Sequence, residues 1–266
     1  MSALSALARR AAAVGLLLAA ALWPPAQAGQ ACEAAAASVD SVRQGLALAE
    51  ATAAALDASG AQVLLLGRAG QDLRAHGLRW SHLGLAYRDG DRWRVLHKLN
   101  HCGAGDAALY RQGLAQFFFD QPWRYEAVAQ PLAPALQAAL LPLLHDDARA
   151  STLDEPRYSL VAYPWAQTYQ QSNQWLIETL ALAAEPAVHN RLQAQAWLRL
   201  TDYRPTVLAL GPLTRLGARL SRANVAFDDH PNDQRFADRI ATVTAESVLD
   251  WVQRAGLADG VPFIVR

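Results

Sequence analysis

Two histidines on neighbouring predicted strands are the residues of this sequence best placed to do chemistry. The segment from Trp80 to His97 alternates around Asp89-Gly90, a dipeptide that favours a two-residue type I′ hairpin turn. With that turn, paired residue numbers sum to 179, and His97 faces His82. Opposed side chains have Cβ atoms about 5 Å apart. Gly84, one pair along, is expected to leave open space beside both rings. Such a pair suits a proton acceptor with its orienting partner, or two ligands of one metal ion.

A third candidate, Ser172, lies much later, where Gln171-Ser172-Asn173 opens a helix predicted over residues 174–184. Serine and asparagine are common N-cap residues, so capping is one interpretation of Ser172. In the other, Ser172 is a nucleophile. A serine hydroxyl is too weak an acid to ionise alone, so His82 would have to act as general base. The exposed amides at the helix start would form the oxyanion hole.

The order of these motifs resembles the permuted papain-like superfamily, which includes the lecithin:retinol acyltransferase and NlpC branches. That superfamily carries His-x-Gly-Φ on one strand, a second His or polar residue on the next, and Asn-Cys-x-x-Phe at a helix start. The resemblance matches His82 to the base, His97 to the orienting residue and Trp175 to the aromatic residue. It puts Ser172 where the nucleophilic cysteine belongs, which removes the preformed thiolate of such a site.

The papain-like resemblance implies an α+β fold with an antiparallel sheet packed against helices. It also implies an amide or ester hydrolase or an acyltransferase acting on cell-envelope material. Arg68, Asp72 and Asn173 are then candidate substrate contacts. A local ion pair or Asx-turn involving Arg68 and Asp72, and a structural amide at Asn173, are the alternatives. The sequence implies no cofactor.

Longer segments resemble an uncharacterised family of exported bacterial proteins, known only as a domain of unknown function. They are Gly70-Gln71-Asp72-Leu73, the run from His97 to Gly103, Gln112-Gly113-Leu114, Phe117-Phe118-Phe119-Asp120 and Ser172-Asn173-Gln174-Trp175. This resemblance covers nearly all of the chain after the first 28 residues and implies no reaction.

Three further interpretations of the histidines stay open. His82 and His97 share strand faces with apolar residues, so they can form a hydrogen-bonded core pair. The papain-like cleft can instead be catalytically inactive and bind a peptide or an acyl-type envelope ligand. A zinc site is the third interpretation, and it needs a turn that folds His101 back. Its ligands would be His82, His97 and His101, with Asp72, Asp106 or Asp120.

The first 28 residues have the pattern of a secretory signal peptide. Arg9-Arg10 forms a basic start, residues 11–23 form an apolar stretch, and Ala26-Gln27-Ala28 forms the cleavage site. We expect residues 29–266 to be periplasmic or secreted, without a transmembrane anchor. Cleavage removes two arginines and no acidic residue, so the formal charge falls from 0 to −2. A nucleic acid is not an expected partner.

Cys32 and Cys102 are the two cysteines of the chain. In an oxidising export compartment an even pair predicts one disulfide, here between the N-terminal residues and the loop after the second hairpin strand. The competing interpretation is that Cys102 is a reactive thiol near His97.

Hydrophobic periodicity predicts a single α+β domain over residues 29–266. Helices are expected over residues 38–56, 106–119, 134–144, 174–184, 191–200 and 245–254. Besides the hairpin, strands are expected over residues 62–66, 123–129, 158–163, 207–210 and 261–265. Residues 145–156 and 224–234 are predicted loops.

Overall fold

The computed structural model describes residues 38–119 and 122–266. Their central element is an antiparallel six-stranded sheet in the order β4-β3-β2-β1-β5-β8. Its strands are β1 (Val63–Ala69), β2 (His82–Asp89), β3 (Arg92–Asn100), β4 (Ala107–Gly113), β5 (Arg124–Pro131) and β8 (Phe263–Val265). A separate two-stranded sheet contains β6 (Thr206–Ala209) and β7 (Arg239–Thr242).

The helices lie on both faces of the large sheet and beside the small one. They are α1 (Val39–Ser59), α2 (Leu114–Phe118), α3 (Pro134–Leu144), α4 (Asp147–Ala150), α5 (Ser172–Ala184), α6 (Arg191–Leu200), α7 (Pro212–Ser221), α8 (Asn232–Phe236) and α9 (Ala245–Arg254). A short 3₁₀ turn covers Arg74–His76. The predicted α+β class with a single domain is confirmed.

Alternation along the strands divides the large core into two parts. Leu83 and Leu85 of β2 belong to the cluster that contains Trp175 of α5. Ala86 of β2 belongs to the cluster that contains Phe117 of α2 and residues of α1. Successive strand residues point to opposite faces, so β2 contributes to both clusters. We call the two sides of the sheet the α5 face and the α1 face.

The predicted hairpin forms, but with a different turn. Asp89 pairs with Arg92 and Leu85 with Leu96, so paired numbers sum to 181 and the turn residues are Gly90 and Asp91. Gly90 has φ 64°, which glycine adopts without steric cost. The predicted register was therefore wrong: paired residue numbers were expected to sum to 179, so one strand is shifted by two residues relative to the prediction. Because side chains alternate with a period of two, this error leaves every side chain on its expected face.

Residues 106–119 were predicted as one helix, and this prediction was wrong. They contain β4, which pairs with β3 from Asn100↔Ala107 to Arg94↔Gly113, followed by the short α2. Alanine, leucine and glutamine have good helix propensity, but pairing along the edge of a sheet overrides it. Residues 158–163, predicted as a strand, are irregular, and the backbone N–H of Leu160 donates to the carbonyl of Asn224.

The other expected helices and strands are confirmed to within a few residues, although α7 and β7 were not anticipated. The predicted loop over residues 145–156 contains α4, and the one over residues 224–234 runs into α8.

A buried polar network holds α5 in place. The carboxylate of Glu178, fully buried, accepts from Arg191 Nε at 2.7 Å, from Gln195 Nε2 at 2.8 Å and from Gln170 Nε2 at 2.6 Å. Gln170 Oε1 accepts in turn from the buried Lys98 Nζ of β3 at 2.8 Å. Buried charges are tolerated when they are paired and hydrogen-bonded. The network therefore ties α5 to β3 and α6.

We expect Glu178→Ala to lower the free energy of unfolding by about 3–5 kcal/mol, because Arg191 would keep a buried charge without its carboxylate. Urea unfolding followed by circular dichroism at neutral pH measures this change. Glu50→Ala, at an exposed position of α1, is the control and should change stability by less than about 0.5 kcal/mol. A loss below about 1 kcal/mol in the Glu178 variant would contradict the assigned role of the network.

Candidate functional site

His82 and His97 are in direct contact on the α1 face. His82 Nε2 lies 2.7 Å from His97 Nδ1, and the ring centroids are 5.0 Å apart. His97 Nε2 lies 3.0 Å from Oε1 of Gln112 on β4. An amide oxygen only accepts, so His97 donates through Nε2 and accepts through Nδ1 from His82. The result is a relay of hydrogen bonds across β2, β3 and β4. Gln112 lies in one of the segments that resemble the uncharacterised family, but its contact with His97 was not predicted.

Phe117 and Arg68 enclose this relay. The Phe117 ring centroid lies 6.0 Å from that of His82 and 5.1 Å from that of His97. Arg68, paired with His82 between β1 and β2, places its guanidinium 4.9 Å from the Phe117 ring and donates to the Phe117 carbonyl. Arg68 therefore lies beside the histidines, as a residue of the candidate site.

Burial is the main cause of the shifted pKa values in this pair, and the charge of Arg68 adds to it. Together they lower the pKa of His82 well below its usual range and that of His97 to about 3. Both imidazoles are neutral near pH 7 as a result.

The open space expected beside Gly84 is filled. A Cβ atom on this residue would lie 2.5 Å from Val95 Cγ1 and 3.2 Å from His97 Cβ. The glycine thus allows β3 side chains to pack closely against β2. One position of the pair stays open: His82 Nδ1 hydrogen-bonds to none of the described residues, and His82 is 8% exposed whereas His97 is fully buried.

The described structure does not bring Ser172 into hydrogen-bonding distance of the histidines. Ser172 is the first residue of α5, which packs on the α5 face, while the imidazoles lie with Phe117 on the α1 face. Ser172 Oγ lies 3.5 Å from the hydroxyl of Tyr158. Burial raises the pKa of Tyr158, so this hydroxyl stays protonated.

The residues on either side of Ser172 form hydrogen bonds within the protein. Gln171, not Ser172, is the N-cap of α5, and its side chain accepts from the N–H of Asn173. Asn173 Oδ1 accepts from the N–H of Leu83 at 3.0 Å. Leu83 lies beyond Leu85↔Leu96, the last pair between β2 and β3. The Asn173 amide therefore supplies the acceptor that β3 does not, and it is only 4% exposed.

Asp72 pairs locally with Arg74. Its carboxylate accepts from Arg74 Nε at 2.9 Å and from Arg74 Nη2 at 2.6 Å, and these bonds lower the pKa of Asp72 to about 2. In the described structure, Asp72 thus forms its local ion pair with Arg74 and not with Arg68.

The ligand set suggested for zinc is not assembled by the described residues. His82 and His97 direct one nitrogen each at the other rather than at a common ion. His101 Nδ1 lies 2.8 Å from Asp106 Oδ2. Within residues 38–119 and 122–266, no group of three or more His, Cys, Asp or Glu side chains could hold a metal ion.

Three sequence predictions fall on residues outside the described ranges. They concern the signal peptide over residues 1–28, Asp120 as a metal ligand, and Cys32 as the partner of Cys102. The disulfide stays a prediction. Within the described ranges, no helix combines the length and the apolar character needed to cross a bilayer.

The sequence did not reveal a cleft of about 490 Å³ between the irregular 158–171 segment and the small sheet. Two aromatic residues, two small or apolar residues and two residues of opposite charge contribute to its lining: Tyr163, Trp165, Val207, Ala241, Arg239 and Asp233. Val207 and Ala241 are partners in the β6–β7 pairing. Neither Arg239 nor Asp233 forms an ion pair with another described residue.

Residues 55–252 match the sequence profile of a family described as an uncharacterized protein conserved in bacteria, DUF2145. No curated protein and no solved structure gives a significant match. The matched range includes the histidine relay, Ser172 and the cleft. The resemblance to an uncharacterised bacterial family is confirmed.

We expect the free energy of unfolding to fall as the pH is lowered from about 6.5 to 5. The unfolded chain protonates its histidines in this range, whereas folded His97, with a pKa of about 3, stays neutral. The unfolded state then binds more protons and is favoured, by up to about 2 kcal/mol for each buried imidazole over this interval. Urea unfolding at the two pH values measures the difference.

In the same experiment, His97→Gln should reduce the pH dependence by about half, because one of the two shifted groups is gone. His76→Gln, at an exposed position, should keep the dependence of the unsubstituted protein. Equal pH dependence in the His97 variant and the unsubstituted protein would contradict the assignment.

Proposed function

The chain belongs to this uncharacterised bacterial family, and we propose that it is an exported, non-catalytic binding protein of the cell envelope that holds a short peptide in the cleft beside Trp165. The observation that carries the proposal is the lining of this cleft: aromatic side chains stand beside a guanidinium and a carboxylate that lack ion-pair partners among the described residues. The predicted signal peptide over residues 1–28 supports export to the periplasm or beyond.

The lining favours a peptide over an acyl chain. A guanidinium such as that of Arg239 binds a carboxylate through two parallel hydrogen bonds, and the Asp233 carboxylate accepts from an ammonium group. Tyr163 and Trp165 offer apolar faces with polar tips. An acyl chain would desolvate both charges without pairing them, which costs free energy. The volume of about 490 Å³ lies within the range of small-ligand sites.

Catalysis is less well supported because the candidate nucleophile and base have separate internal partners. Ser172 contacts Tyr158, and His82 contacts His97 under Phe117. The low pKa of His82 also makes its imidazole a weak proton acceptor. On this proposal, the papain-like resemblance reflects an ancestor whose catalytic site has become inactive.

Calorimetric titration of the exported protein with trialanine tests the peptide proposal. We expect binding to trialanine with free termini and at least tenfold weaker binding to the N-acetylated, C-amidated form, which carries neither charge. Arg239→Gln and Trp165→Ala should each weaken binding to the free peptide by about tenfold.

Trp123→Ala is the matched control, because Trp123 is 37% exposed and lies between Arg74 and Arg124 outside the cleft. This variant should bind like the unsubstituted protein. Equal affinity for the free and blocked peptides, or no detectable binding to either, would contradict the proposal.

Hydrolysis or acyl transfer at an amide or ester bond is the second candidate function. The specific observation in its favour is the open Nδ1 of His82, at the end of a relay that fixes the tautomer of both imidazoles. In that mechanism His82 would take a proton from the attacking hydroxyl, and His97 would orient the base. To serve as the nucleophile, Ser172 would have to leave Tyr158 and move from the α5 face to the histidines of the α1 face.

Labelling of the Ser172→Cys variant with iodoacetamide at pH 6 separates the two functions. An isolated thiol, with a pKa of about 8.5, reacts slowly at this pH. The binding proposal expects slow labelling at position 172, measured by peptide mass spectrometry, and no change when His82→Gln is added. Fast labelling that is lost with His82→Gln would instead support the enzymatic candidate.

A further inference from the structure

Helix α7 exposes the side that an amphipathic helix normally buries. None of its residues is buried, and Leu213, Leu216 and Leu220 are 84%, 56% and 80% exposed. Residues spaced by three and four lie on one face of a helix. The three leucines therefore form one continuous apolar stripe, which we call the leucine stripe.

The opposite side of α7 is attached to the protein, so its orientation is defined. Arg215 donates to the carbonyl of Leu210 and lies 2.7 Å from Asp238 Oδ1. Ala218, one turn further, packs against the small cluster that contains Phe227 and Ile240. These contacts fix the helix with its leucine stripe facing away from the core.

An exposed apolar stripe of this kind is expected to bind a second surface. A helix of ten residues has little stability of its own in water and depends on burial of its apolar face. Contiguous exposed apolar patches mark interaction sites on folded proteins. Here the few contacts through Arg215 and Ala218 leave most of the apolar side chains of α7 unburied.

The charge beside the stripe favours an anionic partner. The segment from Pro205 to Phe227 contains three arginines and no acidic residue. Arg215 pairs with Asp238 on the attached side of α7, so Arg219 is the arginine of this helix that lies beside the leucine stripe. Arg219 is exposed, lies next to Leu216 around the helix, and pairs with no described carboxylate. A surface of leucines bordered by arginine is complementary to a bilayer that carries anionic headgroups.

We propose that α7 docks the protein on an anionic phospholipid surface, with the leucine stripe at the boundary of headgroups and acyl chains and Arg219 at the phosphates. This inference does not depend on the peptide proposal. Leu208 packs with α7 against the small cluster, while the neighbouring Val207 lines the cleft. Because strand side chains alternate, the two sites lie on opposite faces of the small sheet.

Cosedimentation with vesicles tests the inference on the exported protein, whose cleaved N-terminus is verified by mass spectrometry. We expect binding to phosphatidylcholine vesicles that contain about one third phosphatidylglycerol, and at least about tenfold weaker binding to pure phosphatidylcholine. Replacement of all three leucines (Leu213→Ser, Leu216→Ser and Leu220→Ser) should weaken binding by at least about tenfold, and Arg219→Glu by about fivefold.

The triple variant should fold normally, since none of the three leucines is buried. Its affinity for trialanine should match that of the unsubstituted protein, so loss of vesicle binding is distinguishable from loss of the peptide site. Val261→Ser, at a position 77% exposed away from α7, is the control for apolar surface alone and should bind vesicles normally.

Three results would overturn the inference. The first is no binding to anionic vesicles, and the second is unchanged vesicle binding by the triple variant. The third is a dimer in analytical ultracentrifugation that the triple variant dissociates, which would make a second copy of the chain the occupant of the leucine stripe.

Discussion

Strand β2 is the constraint on which the arrangement of this protein depends, because it runs between two cores. His82 and Leu83 are neighbours in sequence, yet one side chain contacts Phe117 on the α1 face and the other packs in the cluster of the α5 face. At this point β3 stops pairing with β2, and Asn173 supplies the missing acceptor to Leu83. The start of α5 is thereby anchored at the strand that carries the first histidine, while its hydrophobic residues remain on the other face.

The two faces use different ways of burying polar groups. On the α1 face, burial and Arg68 keep the two imidazoles neutral, and their hydrogen bonds connect three strands. On the α5 face, charge is retained. Burial lowers the pKa of Lys98, but the Asp154 carboxylate, 2.6 Å from Nζ, opposes that change. Acid disfavours the neutral relay because the unfolded chain protonates its histidines first. An ionic network is weakened when one of its partners is removed. Between about pH 6.5 and 5, the two imidazoles of the α1 face are therefore expected to make folding pH-dependent.

Local sequence signals were sufficient to predict helices whose first residues favour a helix start. The helices α3 and α9 begin where Pro134 and the Thr244 capping box place them. The contact between His82 and His97 also followed from the sequence, because an error of two in the hairpin register preserves the faces. Other features depended on tertiary context. β4 is an edge strand made of helix-forming residues, and the cleft at Trp165 combines an irregular segment with an unanticipated strand. The motif spacing that suggested Ser172 as nucleophile gave no information on which face α5 would cover.

The small sheet connects the proposed activities physically. Its strands alternate between Val207, which lines the cleft, and Leu208, which packs towards α7. A bilayer that covers the leucine stripe would therefore leave the cleft on the opposite face open to peptides near the membrane. Each site has a separate energetic basis: apolar burial with phosphate pairing on one face, and charge pairing beside aromatic rings on the other. A two-stranded sheet is only marginally stable by itself. The small sheet can therefore position both sites only because loops and helices pack against it. The ion pair between Arg215 of α7 and Asp238, next to β7, is one of these contacts.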